Sequence, residues 1–176
     1  MSENKRICLM SCCAPCSAGA ITELKEQGVD FIVLFYNPNI YPEDEYKKRL
    51  DEQIKFCESV GAKYHILEYN HDDWLCVVRG HESAPERGAR CEKCFAFRFF
   101  RAQKFALENG YTHIASVFGV SRHKSQNQVD TAAASVLTKI KYLPVKWDES
   151  LRAKTNKESN FYRQNYCGCE FSISRE

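Results

Sequence analysis

A chain of 176 residues with 44% apolar and 27% charged positions has the balance of a folded globular protein, not a disordered one. The length suits one domain with a substantial core and is short for two. The formal charge of +2 permits a nucleic-acid partner without demanding one, and no apolar run approaches the roughly 20 residues that span a bilayer. The opening "MSENKRICLMSCC" carries too short an apolar stretch for a secretory signal, so the expectation is a cytoplasmic protein whose thiols stay reduced.

In chain order, "RICLMS" reads as a strand and "SAGAITELKEQG" as a helix closed by Gly28. "DFIVLFYN" is a continuous β-branched and aromatic run, the pattern of a buried strand. "YPEDEYKKRLDEQIKFCESVG" starts with Pro42 and acids and sets Tyr46, Leu50, Ile54 and Cys57 along one face, as an amphipathic helix does. "KYHILEY" is a third strand, "HDDWLCVVRG" a short helix and "HESAPERGAR" a polar loop. "CEKCFAFRFFRAQKFALENG" follows as a helix with Phe95, Phe99, Ala102 and Ala106 at core spacing. "YTHIASVFG" gives a fourth strand, "SQNQVDTAAASVLTKI" a helix and "KYLPVKW" a fifth strand, with a further helix expected ahead of "CGCEFS". This alternation predicts an α/β fold: a doubly wound, mostly parallel sheet of about five strands with helices on both faces. Residues 1–176 are expected to form one domain, with segment 148–176 closing over the site. Such sheets bind ligands beyond the carboxyl ends of their strands. There "CCAPC", "NPNIYP" and "GVSRHKS" converge.

Ten cysteines are many for such a protein, and most fall into CC-x2-C, C-x2-C and C-x-C groups. That grouping points to metal or redox work. Cys91 and Cys94, three apart at a helix start, lie on nearly one face where thiolates are favoured, and supply half of a zinc or iron–sulfur site. Cys12 and Cys13 are adjacent, which suits a cuboidal cluster better than a tetrahedral ion. With Cys91 and Cys94 they make the four thiolates usual for a [4Fe–4S] cluster. Cys16 is open to three readings: a replacement ligand, a ligand of a second metal, or a small residue opening the helix. Cys167 and Cys169 flank Gly168, and a bridge across one residue would be strained and easily reduced. They read as a labile redox pair or as two free thiols. Cys8, Cys57 and Cys76 read as core fillers.

Asn37 and Asn39 offer amides at the end of the second strand, and Tyr36 and Tyr41 offer hydroxyls or stacking faces. Arg87, Arg90, Arg122, His123 and Lys124 flank the same edge, while Arg98, Arg101 and Lys104 add charge along the cysteine helix. These cations are able to hold phosphates or simply to face solvent. No histidine sits at metal-ligand spacing. Neither a glycine-rich phosphate loop nor a dinucleotide fingerprint occurs, which argues against nucleotide hydrolysis.

Taken together, "CCAPCS", "FYNPNIYPEDEYKKR", "GARCEKCFAFR" and "YCGCEFS" resemble the QueH-type epoxyqueuosine reductases in four motifs, in order, across nearly the whole chain. The resemblance implies a Rossmann-like fold and the last step of queuosine synthesis, without cobalamin, on tRNA bearing epoxyqueuosine at the wobble position. It assigns Cys12, Cys13, Cys91 and Cys94 to a [4Fe–4S] cluster and Cys167 and Cys169 to a redox-active pair. Removing the epoxide oxygen takes two electrons and two protons. This calls for an electron donor that the sequence does not identify. It also gives a use to a second, mononuclear iron near the cluster, touched by Cys16, Cys167 or Cys169 and acting as a Lewis acid. Tyr36 and Lys124 are candidate proton donors, and Asn37, Asn39, Arg90 and Arg122 candidate substrate contacts. The rival readings are a zinc-binding RNA module, a thiol–disulfide oxidoreductase and a tRNA-thiolating enzyme.

Overall fold

A computed structural model describes residues 5–173. The β-branched and aromatic runs form β1 (Arg6–Ser11), β2 (Asp30–Phe35), β3 (Tyr64–Ile66), β4 (His113–Ser116) and β5 (Lys141–Tyr142). All pair in parallel in the order β3-β2-β1-β4-β5. Central β1 is nearly all buried, and its Leu9 lies level with Val33 of β2 and Ala115 of β4. Both neighbours cover its backbone, so the apolar run over residues 7–10 is the stable choice at its centre.

The connecting helices are α1 (Ala14–Glu26), α2 (Glu43–Ser59), α3 (His71–Val78), α4 (Ala89–Glu108), α5 (Gln126–Val136) and α6 (Glu149–Ser159). Helix α1 packs against α2 and α6, while α4 packs against α3 and α5. The expected α/β architecture is the one observed. Strand order reverses direction between β1 and β4, and at such a switch point the two loops part and leave a crevice.

Several boundaries differ from expectation. β4 stops at Ser116 and the chain turns through a 3-10 segment at Phe118–Val120. β5 keeps two residues of "KYLPVKW", because it lies at the sheet edge and Pro144 brings no N–H to the ladder. Only Tyr64–Ile66 of "KYHILEY" is strand. Cys8 and Cys57 are buried as expected, but Cys76 is exposed on α3, where its Sγ lies 3.7 Å from an Arg79 nitrogen. The face of α2 that packs inward carries more polarity than its apolar spacing suggests. Glu45, Arg49 and Gln53 are buried there beside Tyr46 and Cys57, four residues apart and so on one line.

Helix α6 buries only Thr155, so its seat on α1 depends on close approach. A Cβ on Gly19 of α1 would lie 2.7 Å from both Cα and Cβ of Arg152. Gly19→Ala is therefore expected to push α6 away and to cost about 1–3 kcal/mol, as overpacking does, read as a lower midpoint of denaturant unfolding.

Candidate thiol site at the switch point

The turn after β1 is held from behind by a polar network. Gln53 Oε1 accepts hydrogen bonds from Ser11 Oγ at 2.6 Å and Ser17 Oγ at 2.9 Å. The same two hydroxyls also lie 3.3 Å and 3.1 Å from the carbonyl of Cys13, so each shares its one proton between two acceptors, and Asn37 Nδ2 donates to the carbonyl of Ser11. Cys13 is the N-cap of α1 in extended conformation, so its thiol and that of Cys16 face each other across the first turn. The Sγ atoms of Cys12, Cys13 and Cys16 all lie within 4.8 Å of one another, and the first two are 3.9 Å apart. Among the described residues this is the grouping at metal-ligand spacing. Cys16 thus stands with Cys12 and Cys13, because one helical turn brings it round.

The three thiols differ sharply in acidity. Hydrogen bonds from Cys13 and Cys16 hold the Cys12 thiol well below its ordinary value, helped by Lys124 and Arg98. By the same bonds Cys13 is pushed up to about 12 and Cys16 is raised well above the usual thiol range. Burial alone would lower the Lys124 ammonium, but the charges of Cys12, Cys16 and Cys167 outweigh it and hold it above its ordinary value.

A cleft of about 680 Å³ opens above Cys12, Cys13 and Cys16. Behind it lies a narrow cavity of about 20 Å³ lined by Cys91, Cys94, Cys167 and Cys169 with Asn39, Trp74 and Arg98. His123, Lys124 and Cys167 line both spaces and so connect the two thiol sets. Cys91 and Cys94, on the first two turns of α4, therefore face the Cys167–Cys169 pair and Lys124, outside the 4.8 Å grouping of the β1 turn.

The C-terminal segment reaches this site through a buried ion pair. Arg49, 1% exposed, donates from Nε to Glu45 at 2.7 Å and from Nη1 and Nη2 to the carbonyls of Cys167 and Tyr166. Tyr41 N donates to the carbonyl of Gly168 at 2.8 Å, and Ile40 bridges Cys169. Gly168 sits at φ +108°, a conformation that suits glycine. Cys167 and Cys169 are separate thiols here. The side-chain hydrogen bond from Cys169, with Lys124 in support, lowers the Cys167 thiol to about 5, and the same bond raises Cys169.

Some expected contacts are spent elsewhere. Asn37 is 1% exposed, its amide committed to Ser11 and Arg98, which corrects its reading as a substrate contact. Arg90 is buried and donates to the carbonyls of Glu82 and Ala84, so its charge anchors a loop even though it lines the small cavity. Tyr36 packs its ring against Phe97 and under Arg101, outside both thiol cavities, and burial raises its phenol. Asn39 lines the small cavity with an unpartnered buried Oδ1, and Arg122 lines the cleft. Arg98 is no surface cation: it is fully buried, with Nε on the Tyr36 carbonyl, its guanidinium 3.8 Å over the Phe118 ring and Nη1 unpartnered. Sequence reasoning also missed Ser11, Ser17, Arg49 and Gln53. A polar line at i, i+4 within an otherwise apolar helix face was the available signal for the last two.

A parallel α/β domain with a thiol-lined switch point and enclosed cations is a protein of sulfur-based metal or redox chemistry. Comparison with known proteins narrows the class. The sequence model of the family described as epoxyqueuosine reductase QueH matches residues 7–175. A protein named epoxyqueuosine reductase QueH from Histophilus somni is 37% identical over 178 residues, covering 97% of this chain and 73% of the relative. Relatives of the same name from Acinetobacter baylyi and Staphylococcus epidermidis are 38% and 32% identical, covering 96% and 99% of this chain and 80% and 79% of theirs. This chain belongs to the epoxyqueuosine reductase QueH family. A solved structure, the U34-tRNA thiolase NcsA from Methanococcus maripaludis with its [4Fe-4S] cluster, superposes with a TM-score of 0.62 at 16% identity. That match covers 98% of this chain and 63% of that one, and supports the fold alone.

Two measurements test the site. Arg49→Met leaves Glu45 buried without its partner and is expected to destabilise the fold by about 3–5 kcal/mol, with faster proteolytic cleavage near Tyr166. In reduced, metal-free protein, alkylation of Cys167 is expected to rise through a midpoint near pH 5 and level off by neutral pH. Lys124→Met moves that midpoint up, since the thiolate loses a cation.

Proposed function

We propose that this protein reduces the epoxide of epoxyqueuosine at the wobble position of tRNA to the alkene of queuosine, in the cytoplasm where that tRNA resides. The observation that carries this reading is the family match across residues 7–175, and the thiol chemistry of the switch point agrees with it.

The donor set fits an anionic iron–sulfur group. Cys12, Cys13 and Cys16 come together as soft sulfur donors, Cys91 and Cys94 border the adjoining cavity, and Lys124 and Arg98 supply positive charge without a carboxylate partner among the described residues. In this reading Cys12, Cys13, Cys91 and Cys94 hold a [4Fe–4S] cluster, and Cys16 with Cys167 or Cys169 is available to a second, mononuclear iron. When bound, these groups supply single electrons and a Lewis acid for the epoxide oxygen.

The chain's own residues carry the remaining requirements. Opening the epoxide to an alkene consumes two electrons and two protons and releases one water. With Cys167 ionised and Cys169 protonated, conversion of the pair to a disulfide releases two electrons and one proton, Lys124 supplies the second proton, and an external electron donor then restores the pair. Lys124, held protonated among the thiolates, is the proton donor best placed between the two cavities. Asn39 and Arg122 remain as substrate contacts. Of the segment 148–176, the described residues up to 173 form the cover of the site, a role supported by the bonds of Arg49 and Tyr41 to residues 166–168, while 174–176 lie outside the described residues.

Anaerobically purified protein is expected to be brown, to bleach with oxygen, and to convert epoxyqueuosine to queuosine in tRNA with dithionite, read by nucleoside mass. Chelation of the iron or Cys12→Ser abolishes conversion, whereas Cys167→Ser leaves the colour and lowers turnover at least tenfold. A colourless zinc protein inactive on this tRNA would sink the assignment.

A further inference from the structure

The chain carries 25 lysines and arginines and 23 acids, yet the two signs are not evenly spread. Among the described residues no aspartate or glutamate lines the cleft above Cys12, Cys13 and Cys16, whereas six lysines and arginines do. Neighbouring grooves mix signs: Arg87 and Lys93 with Glu92 between α4 and α5, Lys146 and Arg152 with Asp130 and Glu149 near β5. Two of the six cleft cations already have work. Lys124 faces thiolates, and Arg49 is bound to Glu45 and two carbonyls. The other four, Arg122, Arg152, Lys157 and Arg163, have no carboxylate partner among the described residues. Ion pairs elsewhere are few, among them Arg6–Asp30, Lys47–Glu43 and Lys63–Asp30, so what sets this cleft apart is a lining rich in cations and free of acids rather than the unpaired state of any one cation.

Three of these four belong to one structural unit. Arg152 and Lys157 lie on α6 and Arg163 just beyond it, with Asn160 in a left-handed conformation turning the chain between them. Helix α6 is polar and buries little of itself, so core packing does not explain its composition. Phe161 and Tyr166 line the same wall, Phe161 packed edge-on to Phe56 and Tyr166 with the Arg49 guanidinium over one face of its ring. At about 680 Å³ the cleft has the size of a site for one small ligand or an extruded nucleotide and is too small for a duplex. Unpaired cations beside aromatic faces are the chemistry of a single-stranded nucleic-acid groove.

We propose that α6 and residues 160–166 form the RNA-gripping jaw of the site, with Arg152, Lys157 and Arg163 on backbone phosphates flanking the modified nucleotide and Arg122 on the opposite wall. The proposal rests on the tRNA reading above and deepens it: one jaw binds the anticodon strand while its nucleotide enters over Cys12, Cys13 and Cys16. Gly19 sets the height of this jaw, since it lets Arg152 approach α1.

The test uses the full-length holoprotein and tRNA bearing epoxyqueuosine, with affinity measured by anisotropy across a salt series. Lys157→Glu with Arg163→Glu alters two exposed side chains. Lys55→Glu with Lys104→Glu makes the same charge change on exposed positions away from the cleft. The jaw pair is expected to weaken binding at least tenfold and to lower the salt slope by about 1.4, roughly 0.7 per lost phosphate contact, with an unchanged unfolding midpoint. The control pair is expected to change affinity less than threefold. Equal weakening by both pairs, or no weakening by the jaw pair, overturns the jaw while leaving the reductase reading intact. Failure of the unaltered protein to bind this tRNA even at low salt overturns both.

Discussion

Enclosed positive charge beside enclosed sulfur is the constraint on which the rest of this structure depends. Thiolates in a protein interior need nearby cations, and buried cations need nearby anions. Lys124, Arg98 and the thiols around Cys12 meet that need together at the end of β1. Each is costly to bury alone. Their mutual dependence explains why Arg98 lies over Phe118 with no acidic partner among the described residues and why Lys124, from the loop after β4, lies beside the thiols.

The scaffold around this charge balance is rigid and largely polar. Ser11, Ser17, Gln53 and Asn37 bind the backbone of the cysteine turn and leave the sulfurs free of other duties. Arg49 performs the equivalent task for the opposite side, drawing residues 166 and 167 toward the site from α2. A central parallel strand provides the floor, and the reversal of strand order between β1 and β4 leaves the space above it. The chemistry therefore sits where the topology leaves an opening, and the network keeps that opening in shape.

Two connected spaces divide the labour. The open cleft carries unpaired surface cations suited to a polyanion, while the narrow cavity carries thiols, an unpartnered amide oxygen and a buried guanidinium. Cys167 and Lys124 line both spaces. Relatives of 37% and 38% identity cover 97% and 96% of this chain.

The alternation of strands and helices, the buried central strand and the gathering of cysteine motifs at strand ends were all legible in the amino-acid order. Periodicity and strand-end placement are local properties that residue type controls. Element edges were less legible, because the length of β4 and β5 depends on whether a neighbouring strand is there to pair. Side-chain employment was hidden for a similar reason. Arg98 and Arg49 look like surface cations in the chain, and Asn37 and Arg90 look like substrate contacts. Only packing settled which face each residue occupies and which acceptor takes its hydrogen bonds. The company of Cys16 was likewise decided in three dimensions, since one turn of helix after the β1 loop brings its sulfur beside Cys12 and Cys13.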